Sequence, residues 1–538
     1  MTEIVAAEVV ECIPASVPGD AASATRSLGR EFAAVLLAVV LCDVTLYRGH
    51  GYAGWALLFL LAPLVLWLGC PAPRVDRSLA VVAGMLALLA VRLVWLGSVL
   101  GAVAGWALIV ATAMCLAGRR PYMVDLPIYA LQTLLAGGRG LVDHVQDVTR
   151  VGPRLPRFFW LNVGLPLAAL LLFGTLFVLA NPDLVTSVST WLDWAWQTLC
   201  DSLDELLPTW LEVLVWIAAA WVTVGLLRPV WKRSLLEPFS AAARARSSRA
   251  TESGPAGLYA AIRNTLVAVI VLFAVYLGFE FKTLWFRVFP PGFYYSGYAH
   301  EGAAWLTVAL TLATLMLSAA FRGRILLDPR LPQLQRLAWI WSAENLILAV
   351  AVVHRMSIYV GFNGMTRMRT VGLFGISAVV VGFLLVVWKI ARRRDFVWLL
   401  QRHLWTVSVA AYLYALTPVD TLVHAYNVRR ILAGDSAPSV QISVHPISSE
   451  GILVLHPLVH CRDRVVQEGI RALLAERALQ AEATQRRQDR QGWTAVQFAD
   501  RMLLDQLSSS RAEWQDYTDP GRRAAALNRF HDYAYQWY

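Results

Sequence analysis

Long apolar stretches separated by short polar breaks run through the first four-fifths of this chain. A helix needs roughly 20 mainly apolar residues to cross a bilayer. By that criterion the candidate spans are 31–47, 51–70, 78–97, 98–117, 159–180, 211–228, 262–282, 303–321, 338–360, 371–390 and 397–417. The pattern predicts an all-α fold, a polytopic membrane bundle of about 11 transmembrane helices. Near Asp420 the pattern changes, with turn signals at Gly434-Asp435, Pro438 and Pro446. The next stretch, RDRVVQEGIRALLAERALQAEATQRR, has apolar residues at helical spacing and alternating charge. It predicts an exposed helix able to dock a protein partner. The closing NRFHDYAYQWY is aromatic enough to pack back on this domain or on headgroups.

Five regions follow from this pattern. They are a disordered tail (1–30), N-terminal transmembrane helices (31–117), a basic connection (118–158), a core transmembrane region (159–417) and a mostly helical extramembrane region (418–538). Residues 240–257, SAAARARSSRATESGPAG, read as a flexible linker. The stretch 184–210 interleaves acids and apolar residues like an interfacial amphipathic helix. The aromatic, Pro-Pro-Gly-bearing stretch 283–302 reads as a loop seated at the membrane interface.

Composition agrees with the pattern: 57% of residues are hydrophobic and only 16% charged, against about a quarter charged in soluble domains. The net charge of +10 comes from loop arginines beside anionic lipid, without a nucleic-acid motif. Six scattered cysteines form no CxxC, so neither a metal site nor a disulfide framework is expected. No cofactor motif occurs either. Lys and Arg concentrate in alternate connections, as in 118–158, 229–261, 322–336 and 392–394, whereas 181–210 has none. The positive-inside rule then puts the N-terminus in the cytoplasm of a bacterial inner-membrane protein. An odd span count puts the tail outside.

The polar landmarks carry a resemblance. The chain contains Tyr295, Tyr298, Ala299 and Gly302 in one segment, and Tyr359, Gly364, Thr366 and Arg369 in a second. Asn427 and Arg430 stand in a third. In this order they resemble a bacterial membrane family, the domain of unknown function 4153/4173 group. Ile431 replaces a usual tyrosine, and His300-Glu301 replaces the more typical Arg-Glu or Arg-x pair. The resemblance implies a polytopic membrane fold and no established activity.

Ionisable side chains inside spans are functional candidates, since each costs roughly 2.5–3.5 kcal/mol at mid-bilayer. Those here are Asp43, Arg92, Arg263, Glu280, Glu344 and His354. Glu344, Leu348, Ala351, Arg355 and Tyr359 follow helical spacing and share one face. Glu344 and Arg355 are about 16 Å apart on a straight helix, so they cannot pair directly.

The short link YVGFNGMTRMRT is the strongest lead. Asn363-Gly364 suits a reversal that needs positive φ, and Thr366 can cap the following helix. Arg367 and Arg369 sit at a helix N-terminus, which disfavours cations. They call for an anionic counterpart. The expectation is that Arg369, with Arg367 and Arg355, holds Glu280, Glu301 or an anionic lipid headgroup. Arg355, Tyr359, Thr366, Arg367 and Arg369 are thus the substrate- or anion-binding candidates. No catalytic constellation is found, without GxSxG, HExxH or a Walker loop. The expected function is non-enzymatic, a transporter-like or membrane-sensing component. The alternatives are a membrane enzyme acting on lipid-linked substrates and a scaffold for signalling or assembly partners.

Overall fold

A computed structural model describes residues 18–151, 208–228, 256–285, 295–321, 328–392 and 396–538, with isolated positions elsewhere. Among the described residues every regular element is a helix. The N-terminal group comprises α1 (Pro18–Cys42), α2 (Tyr52–Gly69), α3 (Arg77–Trp95), α4 (Val99–Leu116), α5 (Asp125–Val151) and α6 (Trp210–Leu227). A second group comprises α7 (Ala256–Trp285), α8 (Tyr295–Ala320), α9 (Leu331–Asn363) and α10 (Arg367–Arg392). Helix α11 (Phe396–Leu416) leads into the tail, which begins with α12 (Val419–Leu432).

Caps set several boundaries. Asp76 accepts from Leu79 N (3.0 Å) at the start of α3, and Ser98 accepts from Gly101 N (3.1 Å) at α4. The long apolar tract around Arg92 therefore divides at Leu96–Ser98, as expected. Leu58, Phe59, Leu86, Leu89, Ile109 and Met114 fill the core between α2, α3 and α4. Leu310, Leu317, Leu334, Trp341, Phe383 and Val386 fill the core of the second group. Helix α11 joins the two, its Tyr412 hydroxyl donating to Met85 O of α3 (2.8 Å).

Seven described helices are long and apolar enough to cross a membrane: α2, α3, α4, α6, α9, α10 and the Tyr259–Thr283 part of α7. An eighth is obtained if α11 and α12, bent by 66° at Pro418, count as one span. The chain is an all-helical membrane protein, and the expected count of about 11 is not reached among the described residues. Two of the shortfalls have local causes. The 31–47 span is the end of α1, closed by a π-turn at Asp43–Tyr47, with Glu31 and Asp43 inside its apolar run. Within α8 only Ala304–Ser318 is continuously apolar. The span 159–180, most of the stretch 184–210 and the 240–257 linker lie outside the described residues. At 283–302 both flanks are helical, α7 reaching Trp285 and α8 starting at Tyr295, where a loop is expected.

The tail forms its own core. It continues with α13 (Ser439–Val444), α14 (Ser449–Ile452), a 3-10 segment (Leu453–His460), α15 (Arg464–Gln491), α16 (Phe498–Ser509), α17 (Arg511–Trp514) and α18 (Pro520–Tyr535). Val466, Ile470 and Leu474 of α15 are buried against Leu455, Leu458 and Phe530. The helix expected to be exposed forms as α15, but its apolar face is spent inside the domain, leaving its charged flank outward. Phe530 and Ala534 bring the aromatic terminus back onto the same core.

Candidate functional site

Three inter-helix loops of the bundle meet the tail, so they share one end of the molecule. His50 N donates to Thr494 Oγ1 (3.1 Å), and Gly97 N donates to Gln497 Oε1. Arg92, near the C-terminus of α3, makes a bidentate pair with the buried Glu450 (2.9 and 2.9 Å), which also accepts from Trp95 Nε1 (3.1 Å). The third loop is the Gly364 turn, where the contacts are densest.

Helix α9 ends because Gly364 takes φ +96°, in the left-handed region that side chains disfavour. A Cβ there would lie 2.5 Å from Asn427 Oδ1. Thr366 accepts from Arg369 N (3.2 Å), the expected cap of α10. Asn427 of α12 then grips the turn from both sides: Met365 N donates to its Oδ1 (2.7 Å) and its Nδ2 donates to Met365 O (2.9 Å). Arg430 donates to Val360 O (2.7 Å) and Gly361 O (2.6 Å) at the end of α9. Gln441 of α13 donates to Asn363 O (3.0 Å), and Asn363 Nδ2 donates to Trp537 O (3.0 Å). Gly361 O and Asn363 O are among the carbonyls a helix end leaves without intrahelical partners, while Val360 O also accepts from Gly364 N (3.0 Å).

The expected counter-charges divide in an unexpected way. Arg355 is taken by Glu280 of α7 in a buried bidentate pair (2.7 and 2.6 Å), with the Tyr276 hydroxyl also donating to Glu280 (3.1 Å). Arg367 pairs with Asp420 of α12, whose Oδ2 also accepts from Ser448 N (2.8 Å). Arg369 meets no carboxylate among the described residues. Its guanidinium donates to Gly364 O and to Asn363 Oδ1 (2.6 Å), and stacks 3.6 Å from the Tyr359 ring centroid. It is only 3% exposed. The expectation that Arg369 holds Glu280 fails because Arg355 already occupies both carboxylate oxygens; the Glu301 side chain lies outside the described residues.

Between turn and tail lies a cavity of about 630 Å³, lined by Arg367, Arg369, Tyr359, His424, His445 and Tyr538 among others, with no Asp or Glu. His424 is 3% exposed, and its Nδ1 has no hydrogen-bond partner among the described residues. Burial first, then Arg369 and Arg367, holds the His445 imidazole below its usual range, so it is neutral near pH 7. Sequence reasoning missed His424, His445, Gln441 and Asp420. One signal was readable: Asp420, His424 and Asn427 follow i, i+4, i+7 spacing and form a polar face on α12. Gln441 and His445 are also four apart, but α13, which carries Gln441, ends at Val444.

The other intramembrane candidates do not converge on this cavity. Asp43 accepts from Trp216 Nε1 (2.9 Å) and pairs with Arg48 (3.0 Å), which also meets Glu212. Arg263 is exposed and bonds Asn264 (3.0 Å). Glu344, half-buried, has an Oε2 without a hydrogen-bond partner among the described residues. His354 is half-buried on α9, and Arg92 belongs to the second loop contact. Tyr359, Thr366, Arg367 and Arg369 come together; Arg355 is held apart by Glu280. Among the described residues no group of three or more His, Cys, Asp or Glu could hold a metal ion.

Two of the three motif segments therefore meet in space, since Asn427 and Arg430 grip the segment running from Tyr359 to Arg369. For Tyr295–Gly302 only the helical backbone is described. Comparison with curated proteins finds no match, and neither does comparison with solved structures. A family model described as "Domain of unknown function (DUF4153)" matches residues 61–449, which include the turn and the polar face of α12. With well over half its length matched, the chain belongs to that family of unknown function.

Proposed function

We propose that this chain is a non-enzymatic, membrane-sensing component whose tail domain reads the arrangement of the membrane helices through the Gly364 turn. One observation carries this: Asn427 bonds both backbone groups of Met365 while Arg367 pairs with Asp420. A shift of α9 against α10 is thereby transmitted to α12 and the tail core. Dispersal of Asp43, Arg263, Glu344 and Arg355 argues against a shared polar path, the feature a transporter would need near the midplane. An enzyme acting on lipid-linked substrates draws no support from the cavity, whose lining has no acid.

The reading extends to location. The end opposite the tail carries Arg74, Arg119, Arg120, Arg330, Arg392 and Arg394. By the positive-inside rule that end faces the cytoplasm, and the tail is extracytoplasmic in a bacterial inner membrane. A protein partner, if the tail recruits one, meets the charged flank of α15.

Removing the grip tests the coupling. In Asn427→Ala, amide exchange across 439–460 is expected to accelerate at least tenfold while α2, α3 and α4 keep their protection. Unchanged exchange in that segment would refute the coupling.

A further inference from the structure

We infer that the cavity between the Gly364 turn and the tail binds a phosphate-bearing anion. The inference deepens the sensing reading by naming what occupies the seam, and it rests on that reading only for the tail's position over the turn.

Charge is the first argument. A guanidinium taken out of water carries a desolvation penalty of several kcal/mol, which an opposite charge normally offsets. Arg355 and Arg92, both largely buried, have such a partner in Glu280 and Glu450, and even the half-exposed Arg367 has one in Asp420. Arg369 is as buried as any of them and has carbonyl, amide and ring contacts instead. Those contacts fix its plane and leave its charge uncompensated among the described residues. A fixed planar guanidinium suits the tetrahedral oxygens of a phosphate.

His424 supplies an independent argument. It lines the same cavity, is 3% exposed, and its Nδ1 has no hydrogen-bond partner among the described residues. Native structures rarely leave a buried polar atom unsatisfied without a ligand or water to meet it. The imidazole nitrogen donates in one tautomer, matching the acceptor chemistry of a phosphate oxygen. The volume of about 630 Å³ is far more than one water requires and lies in the range of roughly 300–1,000 Å³ typical of ligand sites.

The lining also points to a source. Met368 and Val371, in the first turns of α10, line the cavity and are 71% and 48% exposed. On a membrane span, such exposure faces acyl chains. A lipid headgroup could enter there with its chains beside α10, while a soluble phosphate compound would enter without that contact.

The full-length protein in neutral detergent would be titrated in three arms: phosphatidylglycerol, inorganic phosphate and uncharged diacylglycerol. Lipid binding is read by native mass spectrometry and phosphate binding by calorimetry at constant ionic strength. Saturable binding of phosphatidylglycerol alone identifies a lipid source, and binding of inorganic phosphate identifies the phosphate group itself. Either result supports the inference. Arg369→Gln is expected to weaken binding at least tenfold, and His424→Gln about threefold. Diacylglycerol binding as well as phosphatidylglycerol would overturn it, as would unchanged affinity in Arg369→Gln or no binding in either phosphate arm. If Arg369→Gln loses its monodisperse elution peak, His424→Gln decides alone, unchanged affinity again overturning the inference. Exchange of 439–460 in the same samples separates the two ideas: failed binding with intact protection removes the ligand and leaves the tail's grip standing.

Discussion

Glu280 and Arg355 are almost fully buried against each other, and breaking the pair from one side or both separates two effects. Glu280→Gln strands a guanidinium in a low-dielectric interior, which costs roughly 3–5 kcal/mol. Replacing both partners with methionine removes the stranded charge along with the pair, and is expected to come within about 1–2 kcal/mol of the parent. Thermal unfolding of the single and double variants in detergent checks this. A double variant as unstable as the single one would show that the pair is worth more than its desolvation. Arg355 was readable in the sequence as a span residue needing a partner, and so was the Tyr276–Glu280 spacing on the neighbouring helix. That Glu280 serves Arg355 and not Arg369 was not readable, because helix packing decides which facing residues meet.

Among elements, the Gly364 turn was the most legible. Its Asn-Gly pair, the cap by Thr366 and the need of the arginines for counter-charge all follow from local rules. The partners in α12 and α13 come from 53 to 78 residues away, and Trp537 from 174. No local rule reaches that far. Helix α15 shows the converse case: its amphipathic spacing was readable, but the surface that covers it was not. Its start is held by Asp463, which caps Val465 N (3.0 Å) and accepts from Ser436 Oγ (3.1 Å) and the Tyr533 hydroxyl (2.5 Å). Burial acts to raise the Asp463 pKa, but these hydrogen bonds outweigh it and hold the carboxyl below its usual range. A carboxyl depressed in the folded state adds stability that is complete above the unfolded pKa of about 3.9. That stability is lost as pH falls through the lower folded value. Asp463→Asn keeps the cap acceptor and removes the titration. The fall in tail melting temperature between about pH 5 and pH 2 is expected to be shallower in Asp463→Asn. Equal slopes would assign the acid sensitivity to other carboxylates.

For the whole molecule, membrane character and helical class were legible from run length alone, and the boundary at Gly364 fell where its Asn-Gly pair predicts. Counting spans from apolar runs was less secure. The run 31–47 ends in a π-turn at Asp43–Tyr47, and α8 is apolar over only part of its length. What no run length conveys is that the tail folds over three loops at one end and that Arg92, apparently a lone charge in a span, reaches Glu450 across that junction. On the proposed reading, this junction, where Asn427, Arg430, Gln441 and Glu450 hold the loops, is what couples the tail to the spans.

On the proposed coupling the tail follows the membrane helices. Amide exchange of 439–460 in nanodiscs of short-chain and long-chain lipid reads that coupling. A change in bilayer thickness tilts or shifts spans at a cost of fractions of a kcal/mol per Å. Exchange in this segment is expected to change severalfold between the two bilayers in the parent protein and to stay constant in Asn427→Ala. Identical exchange in both bilayers for the parent protein would refute the coupling.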